Sequence, residues 1–456
     1  MIEIQVAGAG AGKTYGLAEA IIGCVDKNSH KKIYALTYTN AAKEKIEHEI
    51  IKKLKAVPDQ VEIETIHTFL LNEIIYPFSP FVLGEQYNTA SNMHLSPNYK
   101  ATQIKRLKAE KIMHVEEVYS AARRVVDKTY SGNSTKQKKA RVDRILKIFS
   151  ACIGKIFLDE AQDLDEIALR VFEILGLDVV DIYMVGDPKQ AIKYSGTFTE
   201  FIKKYEDTPN SLVKIHPHNN VTRRVPTEIL SISNKFCYSG QEQTSISTET
   251  GFLRYIESTH HEFDTFIDRH INGDSLVCIE NKIGPYTTKK NSHPDFHHEV
   301  KELLRSSCLD KNPDIFLEAS RMIFHAEVAR LGLKPAINAF LKRHGISYSA
   351  KIYAQIAETA SDEQNEKFHI SSIDAVKGLE ADFCILILTP NTYKYLTQSG
   401  LNSTKKFNKE WKKIYVALTR PKKEFIAVID HALFNGKDIS VNDVRKGLVA
   451  AGFSAL

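Results

Sequence analysis

At 456 residues, with 43% hydrophobic and 26% charged side chains, the chain has the makeup of a globular protein and excludes disordered and fibrous classes. Its formal charge of +5 is compatible with nucleic acid without demanding it, and no apolar run approaches the roughly 18–20 residues of a membrane span. The six cysteines stand far apart with no CxxC pair, which argues against an iron–sulfur or zinc-ribbon site and fits free thiols in the cytoplasm.

The chain opens on a strand rather than a leader peptide: Ile2–Val6 runs into Ala7-Gly8-Ala9-Gly10-Ala11-Gly12-Lys13-Thr14, and a helix is expected from about Thr14 to Cys24. A strand, a glycine-rich turn and a helix N-terminus together aim backbone N–H groups at a polyphosphate. Lys13 would reach the β- and γ-phosphates, and the Thr14 hydroxyl would hold Mg²⁺. Gly8, Ala9, Gly10, Ala11 and Gly12 complete the expected cradle, so a nucleoside triphosphate, ATP with Mg²⁺, is the expected ligand.

Lys32–Thr39 reads as a strand, Ala41 to about Lys55 as a charged helix, and Val61–Glu64 as a strand feeding the helix that opens at Thr65. Strands alternating with helices predict a parallel sheet with helical crossovers. Between Asn98 and Ser150, fourteen Lys/Arg stand against five Asp/Glu, and apolar residues recur at helical spacing. This predicts a basic helical subdomain suited to phosphate contact.

The sheet is expected to resume with Lys155–Leu158, ending in Asp159-Glu160-Ala161-Gln162-Asp163, and with Val179–Val185, ending in Gly186-Asp187-Pro188-Lys189-Gln190. Ligands of open α/β sheets sit at the carboxyl ends of strands, so these side chains should converge on the phosphate loop. Asp159 would bind Mg²⁺ alongside Thr14, Glu160 would polarise the attacking water, and Gln190 would touch the γ-phosphate or that water. A second α/β unit is expected from about Pro217, with strands at Gly251–Ile256, Ser275–Ile279, Phe383–Leu388 and Phe425–Ile429. The run His293–His298 is not assigned to a metal, because no second cluster stands at zinc spacing. Arginines at Arg223-Arg224 and Arg420 are candidates for stabilising transferred phosphoryl charge.

In order along the chain, AGAGAGKT, TYTNAA (37–42), TIHTF (65–69), LDEAQD (158–163), GDPKQAI (186–192), TRRVPTEIL (222–230), VKGLEADF (376–383) and YVALTRPKK (415–423) resemble the motifs of the UvrD/Rep/PcrA branch of superfamily-one helicases. The resemblance implies an α/β fold of two RecA-like P-loop domains with parallel sheets, each carrying a helical insertion. The implied division is 1–75 with 151–215, a basic insertion at 76–150, then 216–281 with 333–456 and a small insertion at 282–332. It implies a translocase or helicase moving 3′ to 5′ on single-stranded or tailed duplex DNA, with Glu160, Gln190, Arg224 and Arg420 catalytic and Glu380 contacting the sugar. Thr37, Thr39, Asn40, Thr65, His67, Phe69 and Ser372 are the implied DNA contacts, with Phe69 either stacking on a base or filling the core.

The chain departs from the family in leaving no room before the loop for its adenine-reading segment, so phosphates should be gripped firmly and the base loosely. Lys193-Tyr194-Ser195-Gly196 also replaces the usual aromatic pair after GDPKQAI. Compact relatives of this type occur beside a DNA-cleaving protein in antiphage systems such as Gabija. The alternative expectation is therefore a DNA-responsive ATPase subunit that controls a partner nuclease. A small-molecule kinase on the same loop would leave LDEAQD and VALTR unexplained.

Overall fold

The computed structural model describes every residue except 27–28, 94, 96–97, 238–239, 289–295, 308–312, 360–367 and 398–407. Positions 293–295 of the His293–His298 run therefore lie outside the described residues. Two compact units emerge, one comprising 1–253, 377–382 and 394–425, the other 254–376, 383–393 and 426–456. Both contain parallel β-sheets with helical flanks and insertions, as expected of tandem RecA-like P-loop domains. Among the described residues, no helix is long and apolar enough to cross a membrane.

The first sheet runs Val61–Thr65, Lys32–Thr37, Ile153–Leu158, Asp181–Gly186, Ile2–Val6, Val213–Ile215, with all neighbours parallel. Side chains alternate across a strand with a period of two, and here both faces are apolar. Ile33, Ala35 and Phe157 face Leu17, Ile21 and Ile46 on one side, whereas Leu36, Ile156 and Leu158 face Phe69 and Phe172 on the other. Burial on both faces is why these strands read as near-continuous apolar runs. The strand expected from Val179 begins instead at Asp181, because the Val179 N–H closes the preceding helix on the Leu175 carbonyl.

The basic insertion packs into this unit. The helix Val118–Val126 buries Val118, Ala121, Ala122 and Val125, and the helix Lys136–Cys152 buries Val142, Ile145, Leu146 and Phe149. Several of its cations are engaged locally: Lys100 with Glu116, Lys108 and Arg124 with Glu85, Arg123 with Asp127, and Lys128 with Asp143. Lys136, Arg144 and Lys147 lie on the exposed side of the last helix, opposite its buried stripe.

The second sheet runs Ser371–Ser372, Leu276–Ile279, Ala381–Ile387, Pro421–Ile429, Phe252–Glu257, Ser454–Ala455. Beside it stands a helical cluster with its own core of Phe296, Val300, Leu304, Phe324, Ile337, Phe340 and Ile356. That core continues past position 332, because the helices Leu333–Arg343 and Ala350–Glu358 supply part of its apolar face.

Burial bears on two of the expected DNA contacts. Phe69 is fully buried, with its ring 4.9 Å from that of Tyr34 and 6.3 Å from that of Phe172, so it belongs to the core and cannot stack on a base. Thr37 is also fully buried at the end of its strand. Phe69→Ala should therefore lower unfolding free energy by about 3–5 kcal/mol. Chemical denaturation of the variant measures that loss, and a weakened DNA affinity at unchanged stability would contradict it.

Candidate active site

The phosphate loop is shaped by two steric constraints. Gly12 precedes the helix Lys13–Gly23 at φ 77°, a left-handed conformation that side chains other than glycine resist. At Gly8 a Cβ would fall 2.4 Å from Nε2 of Gln243, so that amide lies directly on the loop backbone. The Lys13 ammonium donates to the carbonyls of Ala7 and Gly8, both at 3.3 Å. Beside the loop opens a cleft of about 870 Å³ within the first unit. Gly10, Gly12, Lys13 and Thr14 line it, facing Glu160, Gln190, Arg224, Glu380 and Arg420.

Asp159 and Glu160 follow the strand Ile153–Leu158. Glu160 sits at φ 54°, ψ 40°, one of three non-glycine residues with positive φ among those described. Such a conformation costs on the order of 1–3 kcal/mol and persists only where surrounding contacts hold it. Here they do: the Glu160 N–H donates to Oδ1 of Asp159 at 2.9 Å, and the buried Gln162 donates Nε2 to the Glu160 carboxylate. Gln162 in turn accepts the Asp187 N–H at 2.9 Å, tying the two strand ends together.

Burial, then the neighbouring Glu160 charge, pushes the Asp159 carboxyl up to about 7, against the pull of Lys13. Burial also acts to raise Glu160, but Lys13 and Lys377 outweigh it and hold this carboxyl below its usual range. A buried carboxylate beside a half-buried one is repelled by it, and a divalent cation relieves that repulsion. Carboxylate and hydroxyl oxygens are donors that suit Mg²⁺, so Asp159 and Thr14 have the chemistry to fit the ion. Among the described residues no group of three or more His, Cys, Asp or Glu is placed to hold a metal ion.

Asp187 is sealed from solvent and is the hub of the opposite wall. It accepts from Nε2 of Gln190 at 2.9 Å, from the Lys189 N–H at 3.1 Å and from the Tyr415 hydroxyl at 3.2 Å. With its amide nitrogen engaged there, Gln190 turns Oε1 toward Arg420, whose Nη2 donates to it at 3.1 Å. Arg420 is 1% exposed and is also held by the carbonyls of Val416 at 2.9 Å and Leu379 at 3.2 Å. Arg224 donates Nε to Glu380 at 2.8 Å, and Lys422 lies 2.9 Å from the other carboxylate oxygen. Burial acts to raise the Glu380 carboxyl, but Arg224 and Lys422 hold it down, to about 2.

Four of the five remaining expected DNA residues, Thr39, Asn40, Thr65 and His67, lie at the carboxyl ends of two adjacent strands. Thr39 caps the helix Asn40–Leu54, accepting the Ala42 N–H at 3.2 Å, and Thr39 and Asn40 are exposed. Thr65 caps the next helix, accepting the Thr68 N–H at 3.2 Å, and half-buried His67 has its ring 4.8 Å from Tyr119. Ser372 lies in the other unit, where its hydroxyl accepts the Ala375 N–H at 3.2 Å.

Three site residues had no assigned role in the sequence reading. Asp187 and Tyr415 stand inside motifs without any assigned part. Gln243 lies in a polar stretch with no pattern, and only the fold brings it to the loop.

Residues 2–196 match a family model described as an AAA domain, so the chain carries a P-loop ATPase domain. It is 30% identical over 236 residues to Gabija protein GajB of Bacillus cereus (strain VD045), covering 51% of this chain and 46% of that protein. A probable DNA helicase II homolog of Mycoplasma capricolum is 23% identical over 276 residues, covering 51% of this chain and 38% of the relative. The match therefore spans less than half the length of each curated relative. Among solved structures, the arterivirus nonstructural protein 10 helicase aligns with 93% of this chain and 59% of its own at TM-score 0.35 and 10% identity.

The Glu380 cluster has a pH signature. A carboxyl held low when folded stabilises above its unfolded value near 4.5, and that stability is lost as pH falls toward about 2. The side chain is 38% exposed, so solvent screening leaves roughly 1 kcal/mol. Glu380→Gln should remove that much of the stability loss over this window, read as a flatter profile of melting temperature against pH.

Proposed function

We propose that this chain is an ATP-driven motor on single-stranded or tailed duplex DNA, a 3′–5′ translocase or helicase. The observation carrying this reading is the buried Arg420–Gln190 contact in the same cleft as the phosphate loop and Glu160. Lys13 and the loop amides would hold the β- and γ-phosphates, and Thr14 and Asp159 would hold Mg²⁺, which supplies charge neutralisation at the phosphates when bound. Glu160 is placed to take the proton of the attacking water. Lys13 and Lys377 hold its carboxyl below the usual range, in the ionised form that can accept a proton. Arg224 and Arg420 present fixed guanidinium donors to the γ-phosphoryl group as its charge redistributes. Glu380, paired with Arg224, would meet the sugar.

For DNA, Thr39, Asn40, Thr65 and His67 form a polar edge at the strand ends, with Ser372 as a further contact in the second unit. The exposed Lys136, Arg144 and Lys147 add phosphate-binding charge. The division stated for the two RecA-like domains and their insertions belongs to this same reading. A second reading is a DNA-responsive ATPase subunit governing a partner nuclease in antiphage defence, favoured by the similarity to GajB.

Single-stranded DNA should stimulate ATP hydrolysis by the purified protein; an unchanged rate rejects the motor. Strand displacement on a 3′-tailed duplex, with and without a candidate nuclease, separates the two readings. Glu160→Gln should retain ATP binding and abolish turnover, and Arg420→Ala should lower kcat by about 10²–10³ with little change in KM. Replacing Lys136, Arg144 and Lys147 by Gln should flatten the slope of log affinity for single-stranded DNA against log salt by about 2. An unchanged slope removes that helix from the interface.

A further inference from the structure

We propose that Gln243 and Tyr415 are positioning residues that report the state of the phosphate loop to Arg420 through a buried chain of hydrogen bonds. The inference rests on the nucleotide reading of the cleft and is independent of whether DNA is the track.

Every link lies within the first unit. Gln243 is 3% exposed, and its backbone is fixed from both sides by Asn234, whose side chain accepts its N–H at 2.9 Å and donates to its carbonyl at 2.8 Å. Its side chain donates Nε2 to the Ala9 carbonyl, inside the phosphate loop, at 2.9 Å. A carbonyl can only accept, so the amide orientation is determined and Oε1 must face the other way. There it accepts the Tyr415 hydroxyl at 2.7 Å. The same hydroxyl lies 3.2 Å from Asp187, which holds Gln190, which holds Arg420.

A phenolic hydroxyl has one proton and here has two acceptors. It can donate fully to Gln243 or fully to Asp187, not to both. That gives the circuit two arrangements. While Ala9 holds Gln243 in its present place, Tyr415 favours the amide, the shorter contact. If the loop closes on a triphosphate and draws Ala9 and the Gln243 amide away, the Tyr415 hydroxyl turns to donate to Asp187 instead, keeping its proton. The hold of Asp187 on Nε2 of Gln190 then changes, and Oε1 of Gln190 with it, against the Arg420 guanidinium. Crowding at Gly8 couples the loop to this amide sterically as well, since nothing larger fits between them.

The test is amide hydrogen exchange with and without a slowly hydrolysed ATP analogue and Mg²⁺, together with ATPase kinetics. In the wild type the analogue should protect both the loop at 8–14 and the segment 409–420. In Gln243→Ala, and in Tyr415→Phe, which deletes only the hydroxyl, loop protection should persist while that of 409–420 falls at least about twofold. Turnover should drop about tenfold with KM within about twofold, and the double variant should be no slower than either single one. Full protection of 409–420 in Tyr415→Phe, or additive rate losses, overturns the inference even if Gln243→Ala unfolds. A wild-type loop that the analogue leaves unprotected overturns the nucleotide reading and this inference together. Absent DNA stimulation with the relay intact would remove only the motor.

Discussion

The cleft is organised around one carboxylate that water cannot reach. Asp187 keeps its charge because Lys189 lies 3.5 Å away and hydrogen bonds converge on its oxygens from Gln190, the Lys189 backbone and Tyr415. Burial alone would raise its carboxyl, yet these partners hold it below the ordinary range. A charge so enclosed orients whatever touches it, since the cost of leaving it unpaired exceeds that of fixing a side chain. Gln190 points its oxygen at Arg420 for that reason, and Gln162 is set by the backbone of the same residue.

The other wall is organised by repulsion. Asp159 and Glu160 share a corner in which Lys13 exerts the strongest pull of any cation, and the chain holds Glu160 in a left-handed conformation to present them together. Strain and like charge both mark a place where stability has been given up for geometry. Across the cleft, Arg224 and Lys422 share the one carboxylate of Glu380, which keeps two cations beside the phosphate loop with a net positive charge.

The basic insertion shows how charge count and charge availability differ. Five of its cations are tied to acids of the same subdomain, so the excess read along the sequence is partly internal scaffolding. Beyond those pairs, Lys105, Arg106 and Lys111 are exposed elsewhere in the insertion, and Lys136, Arg144 and Lys147 line a stripe on one helix. Such a stripe suits the regular spacing of a phosphate backbone better than a diffuse positive field does.

Much of this was legible along the chain because it is local. The apolar runs at 32–37 and 153–158 mark strands covered on both faces, and the spacing of Gly8, Gly10 and Gly12 before Lys13-Thr14 marks the phosphate turn. Both depend only on neighbouring residues. Phe69 was not decidable that way: an aromatic in TIHTF serves a base or a core equally well, and only the ring of Phe172, about a hundred positions away in sequence, settles which. The core of the second helical cluster was not legible for a related reason, since Phe340 and Ile356 join it through packing rather than pattern. Gln243 is the clearest case. Its side chain bonds to Ala9 across 234 positions, and no local rule connects an amide in a polar loop to a glycine-rich turn. Sequence alone determined that the chain makes a phosphate loop and parallel sheets, because backbone conformation and hydrophobic period are written in neighbouring residues. Which arginine meets which glutamine, and through which buried proton, was decided by tertiary structure, because a hydrogen bond constrains distance in space and places no condition on distance along the chain.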